Sequence, residues 1–96
     1  MKPSIALKHH RNVVQQTARR YRVSNARVFG SVANGTDTET SDLDLLVDPT
    51  PDTTLLDLGG LQDELENTMG VKVHLVTPGD LPPRFRDQVI ANAVQI

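Results

Sequence analysis

Residues 27–48, RVFGSVANGTDTETSDLDLLVD, decide how this chain folds. Arg27-Val28-Phe29 reads as a short strand that stops at Gly30-Ser31. Residues 32–41 are small and polar, which predicts one helical turn and then a loop. Leu43 to Val47 is a second strand, stopped by Pro49. Side chains alternate along a strand, so Asp42 and Asp44 share one face, about 6.6–7 Å apart, while Leu43 and Leu45 turn toward the core. Two anions at about 7 Å repel by roughly 2.4 kcal/mol at an effective dielectric near 20, and by about 0.6 kcal/mol in bulk water. Asp is also a poor strand former. A divalent cation removes that cost, and carboxylate oxygen is the hard ligand that Mg²⁺ takes, together with phosphate oxygens. Gly30 lets a phosphate approach the main chain, a helix start favours an anion, and the Ser31 hydroxyl adds a donor. A lone Asp-x-Asp is commonly a solvated strand end, a lone Gly-Ser is commonly a turn, and Ser41-Asp42 can bond its own backbone. Together, on consecutive strands, they point to phosphoryl or nucleotidyl chemistry supported by a metal.

The rest of the chain arranges itself around these strands. Ser4 is placed to cap a helix over about 5–22, with Leu7, Val14, Ala18 and Tyr21 on one stripe and the Arg19–Arg22 cluster on the opposite face. Val23-Ser24-Asn25 breaks that helix. A second helix runs over about 54–69, with Leu58, Leu61, Leu65 and Met69 on one face and Asp63, Glu64 and Glu66 on its exposed side. Gly59 and Gly60 either mark its true start or allow a close backbone contact, and Gly70 ends it. Val71 to Val76 is a third strand. Asp80 is placed to cap a last helix with Pro82 and Pro83 in its first turn and Phe85, Val89, Ile90 and Ala93 on its apolar face. The expected fold is α/β: one domain over residues 1–96, with helices on one face of a small mixed sheet of three strands or slightly more.

Composition sets the bounds. With 96 residues, 38% of them apolar and 3% aromatic, the core must be aliphatic. Absence of Cys rules out disulfides, thiolate zinc sites and a Cys nucleophile. No stretch suits a signal peptide or a membrane span, so a cytoplasmic protein is expected. The net charge of −2 speaks against direct nucleic-acid binding. That charge is divided in blocks. Residues 1–30 hold seven bases and no acid, and residues 31–70 hold ten acids and no base. The blocks offer either separate faces for ligands and partners or mutual attraction across the fold. His9-His10 reads as a solvated pair rather than a ligand set.

Gly30-Ser31, ten residues, then Asp42-x-Asp44 resembles the signature of the DNA polymerase β-like nucleotidyltransferase superfamily. RVFGSVANG, SDLDLLVD, the leucine-rich helix, GVKVHLVTP and LPPRFRDQVIANAV together resemble a minimal nucleotidyltransferase over almost the whole chain. The resemblance implies ATP or another nucleoside triphosphate as substrate, two Mg²⁺ ions, and transfer of a nucleoside monophosphate to a hydroxyl. In that role Gly30 and Ser31 bind the triphosphate, and Asp42 and Asp44 bind the metals. It also implies a partner: a HEPN-type toxin whose tyrosine is adenylylated, which makes this chain an antitoxin. The family pattern has a third carboxylate on the next strand, and this sequence has His74 there. An imidazole can serve as a base near neutral pH but suits Mg²⁺ less well. The alternative is a catalytically degenerate protein that neutralises its partner by docking alone.

Overall fold

The leucine run of the second strand organises the molecule. The computed structural model describes residues 1–96 in the order α1 (Pro3–Arg20), β1 (Val23–Phe29), α2 (Gly30–Asn34), β2 (Leu43–Pro49), α3 (Leu55–Met69), β3 (Val73–Val76), a 3-10 turn (Pro78–Asp80), α4 (Pro83–Asn92) and β4 (Val94–Gln95). The four strands form one mixed sheet in the order β3-β2-β1-β4. β1 runs antiparallel to both β2 and β4, and β3 runs parallel to β2. No helix is long and apolar enough to cross a membrane.

Leu43, Leu45 and Val47 are buried in one cluster with Ala6, Leu7, Val14 and Ala18 of α1 and Leu61, Leu65 and Met69 of α3. Leu46 alternates to the other face. There it packs with Val76 and Leu81, with Val89 of α4 and Ala93 just after that helix against them. Helices therefore cover both faces, not one as expected, because Leu46 makes the strand two-sided. The sheet also gains β4, whose short span was indistinguishable in sequence from the end of the last helix.

Several local expectations change. β1 begins at Val23 rather than Arg27: α1 ends in a turn with Arg22 at φ 65°, and a register shift between Ser24 and Arg27, with Asn25 at φ 54°, hides the alternation. The N-cap of α1 is Lys2, with Pro3 in the first turn, where its fixed φ is already helical. Ser4 instead donates its N–H to Asp37 Oδ2 at 2.9 Å. That bond holds the Asp37 carboxyl below the usual carboxylate range. It also ties the loop after α2 to α1. Asp80 does not cap α4. It closes a capping box on Thr77 in the 3-10 turn, and Pro82 precedes α4. Phe85 and Ile90 of α4 remain exposed.

The charge blocks meet in two side-chain pairs, Arg20 with Glu64 and Arg27 with Asp48 at 3.0 Å, and the N-terminal amine pairs with Glu39 at 2.8 Å; the other five bases of residues 1–30 make no such pair. Glu64 also accepts from Tyr21 Oη at 2.9 Å, and Glu66 accepts from the Val73 N–H at 2.9 Å. Only Asp63 of that acidic trio is exposed; Glu64 and Glu66 are half-buried.

Thr54 caps α3 through a capping box with Asp57, so Gly59 and Gly60 lie inside the helix. They differ in space. A Cβ on Gly60 would stand 2.7 Å from Tyr21 Cε1, whereas one on Gly59 meets nothing within 4 Å. Gly59→Ala should therefore raise the melting temperature, on the scale of about 1 kcal/mol. Gly60→Ala should lower it, because the overpacking cost of about 1–3 kcal/mol exceeds that gain. Thermal melts of the two variants check this, and a higher Tm for Gly60→Ala would show that the Tyr21 ring moves aside freely.

Candidate active site

Three strands deliver the candidate residues to one end of the sheet. Phe29, the last residue of β1, pairs with Asp44. Asp44 also pairs with His74 across the parallel β2–β3 ladder. Gly30 follows Phe29 directly at φ 67°, a left-handed conformation that suits glycine. A Cβ at this position would lie 2.3 Å from Asp44 Oδ2, so the Asp44 carboxylate is seated directly against the Gly30 main chain. On its other side, Asp44 Oδ1 accepts a hydrogen bond from His74 Nδ1 at 3.1 Å. The Phe29 ring lies 6.3 Å from the His74 ring, centroid to centroid.

The sequence-predicted residues thus converge, with differences in setting. Asp42 is exposed and stands one residue before β2, whose ladder starts with Leu43. Asp44 is half-buried, and its burial pushes its carboxyl above the usual range. The His74 bond and charge act in the opposite direction, and Asp42 adds a smaller upward push. Ser31 is half-buried in α2, a helix of only five residues. So short a helix adds little macrodipole, so an anion at this end would meet the Gly30–Ser31 backbone and the Ser31 hydroxyl rather than a helix dipole. His74 is exposed, at the register position directly beside Asp44. A carboxylate can only accept, so Nδ1 is the donor in the bond to Asp44, which leaves Nε2 of a neutral ring with the lone pair. Asp48 belongs to Arg27, whose two terminal nitrogens reach its Oδ1 at 3.1 and 3.0 Å.

No three His, Cys, Asp or Glu side chains form a metal cluster. Two aspartates beside a phosphate-accessible backbone nonetheless fit Mg²⁺, which commonly takes one or two carboxylates and completes its shell with phosphate oxygens and water. Phe29 was missed as a site residue. Its only signal was its place directly before Gly30.

Gly30 carries a prediction with an internal control. Gly30→Ala adds both a strained φ and a clash with Asp44, while Gly35, at φ 72°, has nothing within 4 Å of a Cβ. Each substitution should cost about 1 kcal/mol of stability from backbone strain. Only Gly30→Ala should also displace the Asp44 carboxylate and reduce transfer, by about 10²-fold if the shift approaches 1 Å. Equal activity of the two variants would separate Asp44 placement from the chemistry.

The chain is similar to several known proteins. A family model described as "Nucleotidyltransferase domain" matches residues 8–96. The Methanocaldococcus jannaschii protein named "Putative protein adenylyltransferase MJ0435" is 38% identical over 77% of this chain and 80% of its own. A second protein of that organism, "Putative protein adenylyltransferase MJ1215", is 36% identical over 78% of this chain and 84% of its own. Among solved structures, "Structure of putative minimal nucleotidyltransferase" superposes with a TM-score of 0.88 at 41% identity, covering 97% of this chain and 95% of that one. "Crystal structure of the toxin-antitoxin with AMP-PNP" shares the fold at a TM-score of 0.74 and 22% identity, covering 88% of this chain and 69% of that one.

Proposed function

The chain belongs to the nucleotidyltransferase domain family, and from that premise we propose that it transfers AMP from ATP to a tyrosine hydroxyl of a HEPN-type toxin and so acts as its antitoxin. The observation that carries the reading is the Asp44 carboxylate seated against Gly30 and bonded to His74. It supports this reading because the residues assigned as metal ligand, phosphate contact and base then lie together at one sheet end. The adenylyltransferase names of the relatives support AMP as the transferred group. The shared fold of a toxin–antitoxin structure supports the kind of partner.

In this reading Gly30 and Ser31 hold the triphosphate, and Asp42 and Asp44 hold Mg²⁺, two ions as the resemblance implies. Bound there, the metal neutralises triphosphate charge and stabilises the charge that develops on transfer. The acceptor oxygen attacks the α-phosphorus, a phosphate ester of AMP forms, and the bond to the β-phosphate breaks to release pyrophosphate. The hydroxyl proton passes to His74 Nε2, the ring being held by Nδ1 on Asp44. The protein acts in the cytoplasm, as one domain over residues 1–96.

A second reading keeps a specific observation on its side: His74 stands where a third carboxylate is expected, and no three-ligand cluster forms. Neutralisation by docking alone would then suffice. One experiment separates the two. Incubation with ATP, Mg²⁺ and the protein encoded beside this one, read by intact mass, should add one AMP to that partner. A stable complex that neutralises the partner without any mass change establishes docking instead.

A further inference from the structure

We infer that the exposed face of α1 is a docking surface for an acidic face of the protein partner; in naming that partner the inference rests on the reading above. Of the three clefts in the molecule, one adjoins the Gly30 site between α2 and α4, and the other two lie along α1. One of these, about 500 Å³, is lined by Ser4, Lys8, His9, Arg11 and Asn12. The other, about 230 Å³, has Gln15 and Arg19 together with Ser24, Asn25 and Gln95 in its wall. No acidic side chain lines either cleft. Ser4, Lys8, Arg11, Gln15 and Arg19 recur at intervals of three or four, which makes them one stripe along the helix. The first cleft spans a bend at His10, whose φ of −125° is not helical and whose Nδ1 donates to the Ala6 carbonyl at 2.9 Å.

The cations of this face have no partner within the chain. Lys8, Arg11 and Arg19 are exposed and form no ion pair, nor do Lys2 before the helix and Arg22 just after it. The acids that could have matched them are engaged elsewhere. Glu39, Asp48 and Glu64 hold the N-terminal amine, Arg27 and Arg20. Asp37 and Glu66 accept from the Ser4 and Val73 N–H groups, and Asp57 caps α3. Asp42 and Asp44 belong to the candidate active site. Of the acids in residues 31–70 this leaves Asp52 and Asp63, one in a loop and one on α3. A second copy of this chain therefore has no acidic face to match the stripe, and the occupant is a different molecule.

The chemistry of the stripe favours a protein. Lys8 and Arg19 are about 16 Å apart in helix rise, and an acidic helix laid alongside presents carboxylates at the same three- and four-residue spacing. Around the cations stand hydroxyl and carboxamide groups, and neither cleft holds a Phe, Tyr or Trp ring on which a base could stack. The net charge of −2 also opposes the long-range attraction on which nucleic-acid binding depends. Ser4 opens the stripe and bonds Asp37, in the loop that leads to Asp42. A partner docked on α1 thus lies beside the loop that carries one of the assigned metal ligands.

Calorimetric titration of the full chain with the protein encoded beside it, at low and at physiological salt, tests this. Wild-type affinity should fall as salt rises. Lys8→Glu combined with Arg11→Glu and Arg19→Glu should weaken the complex by about tenfold or more at low salt and remove most of the salt dependence. The same three positions changed to Gln keep helix propensity; this variant guards against loss of fold and should weaken the complex less. In the transfer assay the Glu variant should raise the partner concentration for half-maximal AMP addition and leave the saturating rate within about twofold. Equal affinity and equal salt response in wild type and the Glu variant, a wild-type complex indifferent to salt, or no wild-type complex at all overturns the docking surface. AMP addition that persists in the first two cases leaves the proposed function standing without it. A complex that depends on these charges, with no AMP added by wild type, keeps the docking surface and overturns the transfer. A labelled single-stranded RNA that binds wild type but not the Glu variant, while the protein complex is the same in both, assigns the face to nucleic acid and overturns the proposal.

Discussion

Asp42→Asn combined with Asp44→Asn is expected to lower nucleotidyl transfer by about 10³-fold or more. Metal-supported charge stabilisation contributes several kcal/mol to such reactions, and each 1.36 kcal/mol is tenfold in rate. The amide keeps the shape of each side chain and removes its charge, so the loss falls on metal and phosphate binding. Calorimetry should show Mg²⁺-dependent ATP binding in the wild type, weaker binding when Mg²⁺ is chelated, and none in the double variant. The fold should respond in the opposite direction. Burial raises the Asp44 carboxyl above its unfolded value, so at neutral pH its ionised form costs stability that Asn does not. Asp44→Asn alone should therefore raise the melting temperature of the metal-free protein. Asn Oδ1 can still accept from His74, so that bond is not lost. The gain is fully present above the folded-state pKa of Asp44. It fades as pH falls through that value toward the unfolded one, because the wild-type carboxyl then protonates and its cost disappears. A variant that is both inactive and less stable at neutral pH would mean that Asp44 is a structural residue, not a site held against its own electrostatic cost.

That opposition between stability and site explains what was legible in the sequence. Asp42 and Asp44 stood out because a strand gains nothing from two carboxylates on one face, and Gly30-Ser31 because the strand stops there. The structure adds what the sequence did not state: Gly30 takes a left-handed φ and lies directly against the Asp44 carboxylate. Leu43, Leu45, Leu61 and Leu65 were legible as core from periodicity alone, and all are buried. What stayed hidden depended on partners distant in sequence. Leu46 faces away from the main core only because α4 returns to cover it. Ser4 looks like a helix cap, but Pro3 occupies the first turn and Asp37, 33 positions away, takes the Ser4 N–H. Glu64 and Glu66 look like a solvated acidic face until α1 and β3 arrive to bond them. The cleft beside Gly30 was invisible for the same reason, since its two walls lie in α2 and α4, separated by two strands and a helix. Phe85, on the apolar face of the last helix, is accordingly 45% exposed rather than covered.

His74→Asp is expected to increase transfer by about tenfold, and His74→Ala to decrease it. The structure places position 74 in register with Asp44 and bonds the two side chains at 3.1 Å. A carboxylate introduced there would stand beside a second carboxylate, a poor arrangement without metal and a strong one with it, because Mg²⁺ prefers hard oxygen ligands. The variant should consequently bind Mg²⁺·ATP more tightly than wild type, yet melt lower than wild type in the absence of metal. In the wild type the ring works differently: Nδ1 is committed to Asp44, and Nε2 is left to accept the hydroxyl proton. A general base of this kind contributes about 10²–10⁴-fold, so His74→Ala should lose a measurable part of that range. His74→Asn retains an N–H able to donate to Asp44 but carries no base, and it divides positioning from proton transfer. If His74→Asn transfers as well as wild type, the ring only positions Asp44. If it matches His74→Ala, the imidazole carries the proton. Identical rates for wild type, His74→Asp and His74→Ala would remove position 74 from the chemistry and leave Asp42 and Asp44 as its carboxylate participants.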